Sequence, residues 1–235
     1  MEIRGRTALI TGAGAGIGKA VAVRLAELGV NLLLCGRGRE KLEKTKELCE
    51  EKGVHVELFV VDVRREEQIR QMFGGISQVD YVINNAGVVI SAPFEETTTE
   101  MMDLAYETNI RGVFLVSKYA LPFLRESECP TIINMGSVVS VQGYVDQCAY
   151  AASKHALMGM TKVMAKELAP ENIRVHILCP GGIMTDMLKE VRPELADGPV
   201  ILPEDIGDIM EFLLTHRTNA VIDEIHVHRS SKAPF

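Results

Sequence analysis

Thr7-Ala8-Leu9-Ile10-Thr11-Gly12-Ala13-Gly14-Ala15-Gly16-Ile17-Gly18 runs from a short apolar strand into a glycine-rich turn, and a helical pattern follows to about Leu28. Strand, turn and helix in that order begin a β-α-β unit. Glycines at such a turn let the backbone bend sharply and approach a phosphate, and the helix N-terminus beyond them favours negative charge. Two nucleotide loops compete for the segment. A P-loop needs G-x-x-x-x-G-K-[ST], and Gly18-Lys19 invites that reading. It fails at Ala13 and at Ala20. The spacing G-x-G-x-x-G also fails, because its last glycine would fall on Ile17 or Lys19. What stands is G-x-x-x-G-x-G at Gly12, Gly16 and Gly18, with a merely structural glycine turn as the alternative.

The same alternation continues almost to the end of the chain. Val30 to Cys35 reads as a strand, Glu40 to Lys52 as a charged helix, Val56 to Val61 as a strand, Glu66 to Phe73 as a short helix, and Val79 to Ile83 as a strand. One long helix, from about Thr99 to Leu124 with Pro122 near its end, precedes the strand Thr131 to Met135. A helix holding Tyr150 runs to about Ala169, where Pro170 ends it. The strand Ile173 to Leu178, a helix near Ile206 to Leu214 and a last strand within Ala220 to Val227 complete the pattern. Continuous apolar strands between helices imply a parallel sheet covered on both faces. The expected fold class is α/β, a single doubly wound parallel sheet (Rossmann fold), with residues 1–235 as one domain.

Composition narrows the function. The 235 residues are 47% hydrophobic and 24% charged, as in ordinary globular domains, and the formal net charge of −7 disfavours nucleic acid as a partner. Cys35, Cys49, Cys129, Cys148 and Cys179 are scattered and never spaced as Cys-x-x-Cys, so neither a disulfide framework nor a metal site is expected. Cys148, two residues before Tyr150, reads either as a reactive thiol or as a small packed residue. Met1-Glu2-Ile3-Arg4-Gly5-Arg6 leads straight into a strand, and no apolar run approaches the ~20 residues of a membrane span. The expectation is a cytoplasmic protein without a membrane partner.

Tyr150-Ala151-Ala152-Ser153-Lys154 places a phenol and an ammonium four residues apart, on one helix face. Tyrosine is a poor base near neutrality, because its free pKa is about 10. A cation near the ring oxygen favours the phenolate, which suits proton transfer to or from a carbonyl or alcohol oxygen. A solvated helix face is the plainer reading of this motif taken alone.

Together, the glycine spacing and Tyr150-x-x-x-Lys154 resemble the short-chain dehydrogenase/reductase family, and the resemblance runs to about Val227. Other motifs of the family follow in order. The resemblance implies that Gly12, Gly14, Ala15, Gly16, Ile17 and Gly18 cradle the cofactor, and that Asp62 with Val63 meets its adenine. Asn85, Ala86 and Gly87 of Asn84-Asn85-Ala86-Gly87 would line the pocket, and Pro180, Gly181, Ile183 and Thr185 would hold the nicotinamide. Ser137, thirteen residues before Tyr150, matches the catalytic serine, and Asn109 matches an asparagine credited with holding a proton-relay water. By resemblance, Asn109, Ser137, Tyr150 and Lys154 are the catalytic set, Tyr150 and Lys154 also touching the cofactor. The implied assembly is a homo-oligomer, tetramer or dimer, with Ala156, Leu157, Met160 and Val163 at its contact or in the core.

The end of the second strand separates the two nicotinamide cofactors. An acid there would bind the ribose hydroxyls of NAD, but the position holds Gly36, followed by Arg37. A guanidinium favours a 2′-phosphate, so NADP is expected, with NAD as the alternative. Ala15 stands where NADP-preferring relatives often carry a base. The substrate is expected to be a small-molecule carbonyl or alcohol: a 3-oxoacyl thioester, or else a sugar, polyol or small ketone. Val141, Gln142, Gly143 and Tyr144 are candidate substrate contacts, and Met184, Met187 and Leu188 a candidate apolar cover. A dinucleotide sensor without turnover is the other class, and an intact Ser137, Tyr150 and Lys154 argues against it. His226 and His228 read as alternate strand positions rather than metal ligands.

Overall fold

The computed structural model describes residues 1–186, 188 and 199–232. Its seven parallel strands are β1 (Thr7–Thr11), β2 (Asn31–Gly36), β3 (Val56–Val60), β4 (Tyr81–Asn84), β5 (Thr131–Met135), β6 (Arg174–Pro180) and β7 (Glu224–Val227). They form one sheet in the order β3-β2-β1-β4-β5-β6-β7. The direction of winding reverses between β1 and β4, and in such sheets a crevice opens there beyond the carboxyl ends of the strands.

Every side chain of β1, β4 and β5 is buried, which is why those runs are apolar on both faces. On one face lie α1 (Gly16–Glu27), α2 (Arg39–Glu50) and α7 (Pro203–Thr215), around Leu25, Leu32, Leu34, Ile83 and Ile206. The other carries α3 (Glu66–Phe73), α4 (Thr99–Tyr106), α5 (Gly112–Arg125) and α6 (Cys148–Leu168). Leu9, Ile69, Val82, Leu124 and Ile132 fill that second core. Each fully buried Leu or Ile contributes roughly 1.5–3 kcal/mol, so both layers are strongly held. Among the described residues no helix is long and apolar enough to cross a membrane.

One element departs from the sequence reading. The expected single helix from Thr99 to Leu124 is interrupted by a π-helical turn at Glu107–Arg111, between α4 and α5. A π turn carries one residue more than an α turn and re-aims the side chains within it. Here it directs Asn109 at the backbone of Val88, a tertiary contact that hydrophobic period does not register.

Candidate active site

The β1–α1 turn is shaped for a ligand backbone. Gly12 (φ 68°) and Gly16 (φ 52°) adopt left-handed conformations that other residues resist. A Cβ on Gly18 would come within 2.3 Å of the Gly12 carbonyl oxygen, and one on Gly16 within 3.0 Å of Thr185 Cγ2. Asn85 pins the turn from below, its Nδ2 donating to the carbonyls of Thr11 (3.0 Å) and Gly12 (3.2 Å). Thr11 Oγ1 accepts from the N–H groups of Asn85 and Ala86, both at 3.0 Å. At the start of α1, Ala15 offers no side-chain cap and the first turn holds no acid, so its N–H groups face whatever enters the crevice. A cradle of this kind, at the switch point of the sheet, fits the pyrophosphate of a dinucleotide.

Gly36, Arg37, Asp62 and Val63 gather at the ends of β2 and β3. Arg37 is exposed. Asp62 is committed to Arg64, accepting from Nε at 3.0 Å and Nη2 at 2.6 Å; that bond, then backbone and charge contributions including Arg37, hold its carboxyl below the usual range. The α5 helix approaches this corner closely, because a Cβ on Gly112 would lie 2.8 Å from Val63 Cγ2.

On the other side of the switch point, the ends of β4 and β5 meet α6. Ser137 starts a 3₁₀ turn (Val138–Ser140); its N–H donates to Ser140 Oγ at 3.1 Å, while its own Oγ accepts from Val139 N–H at 3.4 Å. This reciprocal cap holds the backbone of Ser137 extended at the floor of the site. Tyr150 and Lys154 rise from the first turns of α6. Lys154 is buried, its Nζ donating to the Met135 carbonyl at 2.6 Å and lying 5.8 Å from the Tyr150 ring centroid. Burial lowers its pKa to about 8. Asn109, wholly buried, donates from Nδ2 to Val88 C=O (3.0 Å) and Ser153 Oγ (2.9 Å), and accepts from Val88 N–H at 2.9 Å. Ser153 in turn donates to the Tyr150 carbonyl at 2.8 Å. Asn109 thus ties the loop after β4 to α6.

The expected depression of the Tyr150 pKa by Lys154 is not what this arrangement produces. Desolvation raises the Tyr150 pKa, the Ser137 hydroxyl opposes that rise, and the Cys179 thiol adds to it. The ring keeps some exposure, but its surroundings are dense. Lys154 is itself held on the Met135 carbonyl.

Gly181, at the end of β6, donates to the Val227 carbonyl at 2.7 Å, and Ile183 pairs with Ile201 across the segment that follows. Thr185 Oγ1 accepts from Leu188 N–H at 3.2 Å. Met187 and most of the segment behind it lie outside the described residues. Of the expected self-contact residues, Leu157 is core, whereas Ala156 and Val163 are exposed. Cys148 is half-exposed and the other cysteines are buried; burial pushes Cys35 and Cys49 up to about 12. Among the described residues no three His, Cys, Asp or Glu side chains group as a metal would need.

Sequence reasoning missed Ser140, Ser153 and the Met135 carbonyl. Ser137-x-x-Ser140 does carry the signal of a capping pattern. Ser153 has only its place inside the Tyr-x-x-x-Lys motif, and a backbone carbonyl has no signal at all.

A family model described as short chain dehydrogenase matches residues 6–196. The chain is 32% identical over 237 residues to a 3-oxoacyl-[acyl-carrier-protein] reductase of Thermotoga maritima, covering 96% of each. It is 33% identical over 230 residues to L-xylulose reductase of Bos taurus, covering 93% of each. Among solved structures, a short-chain type dehydrogenase/reductase from Mycobacterium marinum superposes with a TM-score of 0.90 at 27% identity, covering 99% of this chain and 98% of that one. An alcohol dehydrogenase from Thermococcus sibiricus, complexed with 5-hydroxy-NADP, gives 0.89 at 27% identity, with 98% and 99% covered.

Proposed function

The chain belongs to the short-chain dehydrogenase family of nicotinamide-dependent oxidoreductases, and from that premise we propose that it is an NADP-dependent carbonyl reductase. The observation that carries this reading is the meeting of three side chains: Tyr150, the Ser137 hydroxyl bonded to it, and the buried Lys154, whose Nζ lies 5.8 Å from the Tyr150 ring centroid. Reduction of a carbonyl requires a proton at the oxygen, and the Tyr150 phenol is the acid placed to give it.

The Gly12–Gly18 turn, Asn85–Gly87 and Thr185 would hold a nicotinamide dinucleotide, whose chemistry is the supply of hydride to a carbonyl carbon. Tyr150 gives its phenolic proton to the carbonyl oxygen. Ser137 donates a hydrogen bond to the same oxygen and steadies the charge developing there. Lys154, with its ammonium next to the Tyr150 ring, offsets the phenolate that remains and would hold the nicotinamide ribose. Asn109 keeps α6 and the Val88 loop in register, and by the family resemblance would also hold a proton-relay water. Arg37, exposed beyond Gly36, would pair with a 2′-phosphate, whereas NAD would find no carboxylate at that strand end.

A 3-oxoacyl thioester or similar apolar ketone suits the segment between Ser137 and Tyr150, because Val141 (48% exposed) and Val145 (85% exposed) offer it apolar surface. A sugar would find little hydrogen bonding from those two side chains. Exposed Met102, Tyr106, Phe114 and Val163 on α4, α5 and α6 suit self-association.

The test is oxidation of NADPH, with NADH in parallel, across acetoacetyl thioesters, diketones, keto-sugars and ketosteroids. Turnover of one class with NADPH, lost in Tyr150→Phe, is the expected result. A preference for NADH overturns the assignment of Arg37. Tight cofactor binding without turnover of any carbonyl overturns the reductase.

A further inference from the structure

The C-terminal segment does not leave the sheet at the end of β7. A Cβ on Gly181, whose N–H holds the Val227 carbonyl, would lie 3.7 Å from Val138 Cγ1 and 3.8 Å from His228 Cα. The tail therefore crosses the end of β6 beside the turn that carries Ser137. A turn then follows, with Lys232 N–H donating to the Arg229 carbonyl at 2.9 Å.

That turn delivers Lys232 to the segment joining Ser137 to α6. Its Nζ donates to Tyr144 Oη at 2.8 Å and to Gln142 Oε1 at 3.3 Å, and Tyr144 Oη donates to Gln142 Oε1 at 3.0 Å. The three side chains close a ring of hydrogen bonds, and the ammonium also sits 5.5 Å from the centroid of the Tyr144 ring. The backbone of residues 141–147 is otherwise lightly held. Val141 N–H reaches the Val138 carbonyl at 3.4 Å and Gln147 N–H reaches Tyr144 at 3.3 Å; the shorter bonds all lie at the far end, where the Asp146 carbonyl accepts from Ala92 N–H at 2.8 Å and the Gln147 carbonyl from Ala151 N–H at 2.7 Å.

We infer that Lys232 is a positioning residue, clamping residues 141–147 through Tyr144 and Gln142 so that Val141 and Val145 stand ready as the apolar wall of the substrate cleft. The inference rests on the reductase reading above and makes the C-terminal tail a specificity element. A wall ordered in advance spares the substrate the entropy of ordering it, so the clamp acts on substrate binding more than on chemistry. A loose lysine on a surface would do none of this, because its removal would leave the segment as it was.

The experiment pairs amide hydrogen exchange of the whole chain with steady-state kinetics on acetoacetyl-coenzyme A, or on whichever carbonyl of the panel is turned over. Lys232→Met is expected to speed exchange at residues 141–147 about tenfold while leaving the middle of α6 alone. It should raise KM about tenfold and move kcat less than KM. Tyr144→Phe, which keeps the ring, should act in the same direction, and the double variant should be no worse than the stronger single one. Lys232→Arg should restore part of the loss. Unchanged exchange at 141–147 overturns the clamp whatever the activity does. Faster exchange with unaltered KM overturns its service to substrate, as does strict additivity in the double variant. Wild-type protein that reduces no carbonyl sinks the reductase reading first and the substrate role with it, a result recognisable because it precedes any variant.

Discussion

Two groups of polar side chains are buried along the same face of the sheet, and both reach α6. Thr161 belongs to one and Lys154 to the other, two helical turns apart. In the first group Asn84 Nδ2 donates to Ser117 Oγ and Asn134 Oδ1, Asn134 Nδ2 donates to Thr161 Oγ1, all at 2.9 Å, and Thr161 donates to the Leu157 carbonyl at 2.7 Å. Within this group Asn84 Oδ1 alone finds no partner among the described residues. The second group holds Ser137, Tyr150 and Lys154, where a buried ammonium bonds a single carbonyl and burial acts against ionisation of both titratable side chains. Satisfied polarity welds β4, β5, α5 and α6 together. Unsatisfied polarity, held in place by that weld, is what a reacting oxygen can use.

The contrast breaks most visibly at Tyr150. Tyr150→Phe removes the proposed proton donor without removing the ring, so turnover should fall by about 10²–10⁴-fold. Cofactor binding, followed by NADPH fluorescence, should be nearly unaffected, and the melting temperature should hold or rise slightly. Retained turnover would contradict the role given to the phenol.

Asn134→Leu attacks the other group. It takes one of the two acceptors from Asn84 Nδ2, which keeps Ser117 Oγ, and leaves Thr161 Oγ1 without its donor inside a dry core, which costs on the order of 2–4 kcal/mol. Urea unfolding should record that loss, with kcat per folded molecule almost intact. A variant equally stable but inactive would reverse the division of labour between the two groups.

Lys154→Met gives a smaller effect of opposite sign. The folded pKa of about 8 lies below the unfolded value of 10.5, so between those values the unfolded chain binds more protons and stability rises with pH. Below about pH 8 the full penalty is present. Replacing the ammonium with an apolar isostere should therefore stabilise the ligand-free protein at neutral pH by about 1–2 kcal/mol, after the lost bond to the Met135 carbonyl is counted. The gain in melting temperature over wild type should shrink as pH rises from 8 toward 10.5.

How much of this was legible depends on the range of the interaction. The glycine turn was, because Gly12, Gly16 and Gly18 answer to local backbone geometry and a close approach within the same turn. The helix Glu66–Phe73 and the strand Thr131–Met135 agree with their periodicity residue for residue. The π turn at Asn109 was not, since it depends on a bond to Val88, which lies 21 positions away. The direction of the Tyr150 shift was also hidden. Spacing of i and i+4 puts Lys154 near the ring but says nothing of the Met135 carbonyl that takes its proton donor. The clamp lay furthest from view, with Lys232 and Tyr144 separated by 88 positions.

Ser140 sharpens the comparison at its finest scale, because it stands in the reactive group yet is satisfied in the manner of the structural one. Its Oγ accepts from Ser137 N–H, its N–H donates to the Ser137 carbonyl at 2.8 Å, and its side chain also meets the Cys179 thiol. If it acts only as a cap, Ser140→Ala should cost about 1 kcal/mol in stability and leave turnover alone. If it also fixes the direction of the Ser137 hydroxyl, kcat should fall several-fold, KM should stay near its wild-type value, and Ser140→Thr should recover most of the loss. The second outcome is expected, because a hydrogen bond that must strengthen as charge develops is sensitive to small errors in aim. A loss of stability with kcat unmoved would return Ser140 to the scaffold.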